Sequence, residues 1–142
     1  MLYLDTNIFI YAADKTQPQH KLALQLLHQA ASQKLPLITS VETIQEIVHT
    51  FKKAHKLKFG LQVCRLVLKL VPHIVPIDRA IITEFLKLAA KYPKLESRDC
   101  LHLATCLVHK LPTLVTEDKT LLKTKIPKID IKSPHQLSLQ TN

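Results

Sequence analysis

The stretch 35-LPLITSVETIQEIVHTF-51 reads as a β-strand running straight into an α-helix. Leu35 to Thr39 is a short apolar run bounded by polar residues, as a buried strand requires. From Val41 to Ala54 the period changes, and Val41, Ile44, Val48 and Phe51 recur at helical spacing to make one apolar stripe. A strand followed at once by an amphipathic helix is half of a βαβ unit.

The same alternation repeats outward along the chain. Leu2 to Leu4, Ile74 to Ile77 and Thr113 to Thr116 (TLVT) are further strand candidates. Helical spacing recurs over His20 to Ala31, through Leu22, Ala23, Leu26, Leu27 and Ala30, and over Ala80 to Ala90, through Ile81, Phe85, Leu88 and Ala89. Leu61 to Val71 and Arg98 to His109 are two more helices, the latter with Ser97 placed as N-cap. Strands alternating with helices predict an α/β fold: a layered sandwich on a mainly parallel sheet with right-handed crossovers.

Composition bounds the answer. The chain has 142 residues, 46% of them apolar, which suits one globular domain over 1–142 and is short for two. A single glycine, Gly60, excludes a phosphate-cradling glycine loop and with it the nucleotide-dependent kinase and GTPase classes. Three cysteines, Cys64, Cys100 and Cys106, lack C-x-x-C spacing and an even count, so they read as small core residues of a protein in a reducing compartment. The opening MLYLDTNIFIYAAD has no basic leader and carries Asp5 inside its apolar run, unlike a secretory signal. The longest apolar candidate, LQVCRLVLKLVPHIVPI, is broken by Arg65, Lys69, Pro72 and Pro76, so no membrane span is expected and a soluble cytoplasmic protein is.

Against a net charge of +9 with only 11 acidic residues, Asp5, Glu46, Asp99 and Asp118 stand at the mouths of separate elements. Ligands of parallel α/β sheets bind beyond the carboxyl ends of the strands, and Asp5 and Asp118 follow two strands directly. Carboxylates about 4 Å apart repel by ~1 kcal/mol in water and ~4 kcal/mol near a protein surface, a cost that a divalent cation relieves. The helical period places Glu46 roughly opposite the apolar stripe of its helix and leaves Glu42 on the same side, so pattern does not choose between them. Asp99 shares a face with His102 and Cys106, which invites a zinc reading, but no further ligand pair accompanies them. For each acid alone, a solvated helix face is the competing account. The other histidines, His20, His28, His49, His55, His73, His109 and His135, lack paired spacing and read as surface or cap residues.

In L-x-L-D-T-N at 2–7, S-x-x-x-x-x-E at 40–46, S-R-D-x-x-H-L-A-T around Asp99 and T-x-D at 116–118, the chain resembles PIN-domain ribonucleases, and among them the VapC-like toxins. The resemblance covers roughly residues 2–123. It implies a three-layer α/β/α sandwich with a central parallel sheet, Mg²⁺- or Mn²⁺-dependent endoribonuclease activity leaving a 5′-phosphate, frequent homodimerisation, and a cognate antitoxin if the toxin subgroup applies. Carried over, Asp5, Glu46, Asp99 and Asp118 become the catalytic quartet, with Asp5, Asp99 and Asp118 on the metal, Glu46 positioning or deprotonating the attacking water, and Asn7 and Thr116 as supporting polar residues. The chain departs from the pattern at Leu121, where many relatives carry an aromatic residue.

Hard cations suit this set, since Mg²⁺ takes oxygen ligands, keeps several waters and needs few protein carboxylates. Such a cluster predicts that Asp5→Asn raises the stability of the metal-free protein by removing repulsion. Lys52, Lys53, Lys56 and Lys58, and Lys119 within a second basic run through Lys123, Lys125, Lys128 and Lys132, are candidate contacts to an RNA backbone. The first run equally suits the negative end of a helix. With three tyrosines and four phenylalanines, base stacking would be sparse. Leu61 to Val71 and Ala80 to Ala90 are candidate dimer surfaces as well as ordinary core. Rival functions are a housekeeping PIN-domain nuclease in RNA processing and a non-catalytic RNA-binding module. An aspartyl-phosphate phosphatase would want a second aspartate where Asn7 stands.

Overall fold

A computed structural model describes residues 1–140. Its centre is the strand Leu2–Leu4 (β1), flanked by Leu37–Ser40 (β2) and then His73–Val75 (β3) on one side, and by Thr113–Val115 (β4) and then Asp130–Lys132 (β5) on the other. The order is β3-β2-β1-β4-β5 and every neighbouring pair is parallel. Alternate residues of a strand face opposite ways. Leu4, Leu37 and Val115 accordingly enter one apolar cluster, while Tyr3, Ile38 and Leu114 enter another.

The first cluster is closed by Thr6–Ala13 (α1), His20–Ser32 (α2), Val41–Lys53 (α3) and Leu57–Leu70 (α4), through Ile8, Phe9, Ala23, Leu26, Ile47, Phe51 and Val67. The second is closed by Arg79–Lys91 (α5) and Ser97–Val108 (α6), through Ile81, Leu88, Leu103 and Ala104. Short helices Lys119–Leu122 (α7) and Pro134–Gln140 (α8) complete the chain. Two helical layers on one parallel sheet make the expected three-layer α/β/α sandwich. All three cysteines are free and buried. Among the described residues no helix is long and apolar enough to cross a membrane.

Several local expectations shift. Strand β5 is a short edge strand with no fully buried residue, so it carries no apolar run to announce it. Helix α1 is apolar nearly all round, with Thr6, Ile8 and Phe9 buried and Ile10, Tyr11, Ala12 and Ala13 half-buried against the same cluster, which erases its period. Helix α4 starts at Leu57, not Leu61. Glu96 occupies the cap position of α6 and Ser97 is its first helical residue, with no side-chain cap bond. On α3 the buried residues are Thr43, Ile47 and Phe51, whereas Val41 is 43% exposed. The buried face is rotated from the apolar stripe because Thr43 can go inside, where its hydroxyl is hydrogen-bonded with Thr39 Oγ1 at 2.7 Å.

With one glycine in the chain, the helices α2, α3 and α6 end on left-handed residues that carry side chains, Lys34, His55 and Lys110. Gly60 is instead spent where α3 and α4 touch: a β-carbon there would lie 2.6 Å from Phe51 Cβ. Gly60→Ala should therefore lower stability by about 1–2 kcal/mol despite alanine's better helix propensity, since overpacking outweighs the propensity gain. A urea titration with an unchanged or raised midpoint would contradict this.

Candidate metal centre and acidic groove

Strand order reverses between β1 and β4, because the chain builds outward on one side through β2 and β3 and on the other through β5. Adjacent connections leave in opposite directions there, opening a crevice at the carboxyl ends of the two strands. Asp5 follows β1 immediately, and Thr116 and Asp118 follow β4. The backbone N–H of Asp5 donates to Val115 O at 2.9 Å, holding the two strand ends together.

Helix starts then gather the acids. Asp5 is the N-cap of α1 and accepts from the Thr6 backbone N–H at 2.7 Å, while Asp118 is the N-cap of α7 and accepts from Leu121 N–H at 2.8 Å. Asp99 lies in the first turn of α6. Positive helix ends thus face the groove and hold part of its negative charge. Asp5 is 4% exposed, and its other oxygen accepts from the Thr116 hydroxyl at 2.7 Å and the Asn7 amide at 3.3 Å. Asn7 also donates to Thr116 Oγ1 at 3.1 Å, and its carbonyl accepts from Glu117 N–H at 3.1 Å. Asn7 and Thr116 therefore stitch β1 to the loop after β4 and fix how Asp5 points.

Asp99 is 6% exposed and enters none of these hydrogen bonds. Burial, then the negative charges of Asp5 and Asp118, push its carboxyl up to about 7. Burial also raises Asp5, against the opposing pull of His102 and of the Thr116 hydroxyl. Asp99 feels the charges of both Asp5 and Asp118, so it lies within electrostatic reach of each.

Glu46 arrives through His102, a residue that is fully buried. Its Nε2 lies 2.8 Å from Glu46 Oε1, 3.5 Å from Asp5 Oδ1 and 3.4 Å from Thr6 Oγ1. Its Nδ1 lies 2.6 Å from the Tyr3 hydroxyl, which lies 2.9 Å from Ser40 Oγ. Burial pulls the imidazole pKa down, but the Glu46 hydrogen bond and the charges of Asp5, Glu46 and Asp99 outweigh it, so the pKa is raised. The ring that reads from sequence as a face residue beside Asp99 is the hub of a buried polar network. Tyr3 and Thr43 carry no motif, and Ser40 stands only as the first residue of S-x-x-x-x-x-E. The single hint is a histidine three residues after Asp99 in a helix that is otherwise mostly apolar.

Glu42, one turn before Glu46, is half-buried and makes no hydrogen bond to His102; burial first, and then the Glu46 charge, raise its pKa. Arg98, the arginine of the S-R-D motif, pairs with Glu96 at 2.7 Å and feels both Glu46 and Asp99. Leu121 is fully buried in the second core cluster. Lys119 is exposed next to Asp118. Lys52, Lys53, Lys56 and Lys58 are exposed around the α3–α4 turn. That turn is about 10 Å along α3 from Glu46 at 1.5 Å per residue, and Lys56 acts on Asp14 at the far end of α1.

Among the described residues no three His, Cys, Asp or Glu side chains are arranged to hold a metal ion as they stand. A closed zinc site needs three or four protein ligands, so the Asp99–His102–Cys106 zinc reading fails, with Cys106 buried in the apolar cluster. A hard cation held by one or two carboxylates, waters and a substrate phosphate needs no such cage, and the all-oxygen, mutually repelling carboxylates fit it.

The family model of the PIN domain matches residues 2–127. This chain belongs to the PIN-domain family. The family's ribonucleases generally use a divalent metal ion. The chain is 28% identical over 121 residues to Ribonuclease VapC23 of Mycobacterium tuberculosis, covering 85% of this chain and 95% of that one. A toxin–antitoxin complex from Klebsiella pneumoniae contains a chain 26% identical, with a TM-score of 0.65, over 92% of this chain and 96% of that one. VapBC2 from Rickettsia felis, solved bound to a promoter DNA fragment, has the same fold at 19% identity, with a TM-score of 0.73 over 94% and 98% of the two chains.

Proposed function

We propose that this PIN-domain chain, acting as one domain over 1–142, is a Mg²⁺- or Mn²⁺-dependent endoribonuclease and the toxin of a toxin–antitoxin pair. The convergence of Asp5, Asp99 and Asp118 at the β1/β4 crevice carries the reading, and the VapC ribonuclease and toxin–antitoxin relatives support it.

Asp5 and Asp99 would hold the principal ion, with Asp118 binding it directly or through water. When bound, the ion supplies a better water nucleophile and neutralises charge on the scissile phosphate for in-line hydrolysis. Asn7 and Thr116 keep the Asp5 carboxylate turned to the groove. Glu46 orients the attacking water or takes its proton. Lys119 grips the RNA backbone beside the acids, and the Lys52 to Lys58 run extends that grip a helix length away.

A half-open apolar groove of about 510 Å³, lined in part by Phe9, Leu24, Leu27, Val63, Leu66 and Leu70, suits an amphipathic segment of a cognate antitoxin. Exposed Leu68 and Leu86 on α4 and α5 suit a homodimer contact. Unpaired buried cysteines suit a cytoplasmic setting.

The test is incubation of labelled RNA, and separately of a phosphomonoester, with Mg²⁺, Mn²⁺ or EDTA. RNA cleavage that needs metal and is lost in Asp5→Asn is expected, with the phosphomonoester untouched. Cleavage that survives EDTA, or an Asp5→Asn variant of full activity, would refute the assignment.

A further inference from the structure

We propose that His102 is a positioning residue, whose imidazole, clamped between the Tyr3 hydroxyl and the Glu46 carboxylate, fixes the orientation from which Glu46 acts on the attacking water. The inference rests on the nuclease reading above and adds to it a residue outside the acidic quartet.

Glu46, with its side chain 12% exposed, has three side-chain torsions to fix, the last of them broad and nearly two-fold. Nothing on α3 itself restrains Glu46. What restrains it is a ring on α6 that has no freedom of its own: His102 is fully buried, with Nδ1 2.6 Å from the hydroxyl of Tyr3 on β1 and that hydroxyl 2.9 Å from Ser40 at the end of β2. Its far nitrogen then lies 2.8 Å from Glu46 Oε1 and only 3.5 Å from Asp5 Oδ1. Two carboxylates therefore face Nε2, which carries a proton. If Tyr3 donates to Ser40, Nδ1 carries one as well; if Tyr3 donates to Nδ1, the ring is neutral with its proton on Nε2. Either way Glu46 receives the Nε2–H bond, and Glu42 does not. The arrangement is the outer support that orients a working carboxylate in a metal site, where removing it costs activity by about 10- to 100-fold.

The chemistry of the ring suggests its own control. An asparagine amide reaches the Nδ1 position and keeps only the Tyr3 partner, whereas a glutamine amide reaches the Nε2 position and keeps the donor to Glu46. His102→Asn should lower kcat about 10- to 100-fold with little change in KM, and His102→Gln should recover most of that loss. In a Glu46→Gln background neither substitution should lower the rate further, because both act through the same group. Equal losses in the Asn and Gln variants, or an equal loss with and without Glu46, would overturn the proposal. Tyr3→Phe, which keeps the ring and removes the hydroxyl, should lower kcat in the same direction and serves if a His102 variant fails to fold. Nitrogen-15 NMR of histidine in the metal-free protein gives a reading independent of catalysis. The His102 Nε2–H signal should move in Glu46→Gln and stay in Glu42→Gln, and the reverse pattern would overturn the clamp. If the parent protein cleaves no RNA with Mg²⁺ or Mn²⁺, the nuclease reading falls, while the NMR comparison still decides the clamp.

Discussion

Asp99→Asn will melt at a higher temperature than the parent in EDTA at pH 8 and will cleave RNA about 10³-fold more slowly in Mg²⁺. The two effects share one cause. Asp99 is buried among negative charges that raise its pKa to about 7, and none of the hydrogen bonds that tie down Asp5 reaches it. Ionised without a cation, it is a cost to the fold. The folded state holds its proton up to about pH 7, while the unfolded chain releases it near the ordinary value of 3.8. Between those limits the folded state binds more protons, so the stability of the metal-free protein falls as pH rises. Burial raises Asp5 too, and the carboxylates raise His102, so both contribute the same sign. The His102 contribution is full below the ordinary imidazole value and is lost as pH rises through its raised pKa.

Asparagine removes the Asp99 charge without changing its size. A rise of at least about 3 °C is expected, the shift that roughly 1 kcal/mol produces in a chain of this length, together with a flatter dependence of Tm on pH. Asp5→Asn should gain less than the sequence alone suggests. Thr116 donates to one Asp5 oxygen and would face an amide donor instead if asparagine keeps its carbonyl on Thr6 N–H. The activity loss reflects several kcal/mol of charge stabilisation, with each 1.36 kcal/mol worth tenfold. Differential scanning fluorimetry in EDTA and a cleavage assay read both arms. An Asp99→Asn protein less stable than the parent at pH 8 would sink the account.

Metal affinity should weaken about 50-fold between pH 7 and pH 5 and level off above pH 8. An ion that binds Asp99 must displace its proton, and with a pKa of about 7 only about 1% of that carboxyl is ionised at pH 5. The slope has the opposite sign to that of metal-free stability. At pH 8 the free site is most strained and binds best, so saturating Mn²⁺ should raise Tm far more at pH 8 than at pH 5. At 100 times Kd the gain is about 2.7 kcal/mol. Titration calorimetry of Mn²⁺ at several pH values checks this, with proton release measured by changing the buffer. Affinity that does not vary between pH 5 and 7 would mean that Asp99 does not meet the ion.

How much of this was legible beforehand depended on the element. The β2–α3 junction reads from sequence because an apolar run gives way at once to helical spacing, although β2 buries both its faces and the buried face of α3 is rotated from its apolar stripe. Helix α1 does not, because Ile10, Tyr11 and Ala12 pack against the same core as Ile8 and Phe9 and leave no polar side to mark a period. Strand β5 is short and half-wet, and its pairing with β4 is a tertiary fact. Glu46 and Glu42 are indistinguishable on a helical wheel, since what separates them is a hydrogen bond from a residue 56 positions away.

From its sequence alone this protein was determined as an α/β sandwich on a parallel sheet, with Asp5 and Asp118 at the carboxyl edge. Strand and helix periods are local, and a residue following a strand inherits its place. Only the tertiary structure decided that β1 and β4 are neighbours at the reversal of strand order, that Asp99 is buried between their acids, and that His102 selects Glu46. Those outcomes depend on distances between residues far apart in the chain. No local pattern of hydrophobicity encodes such distances.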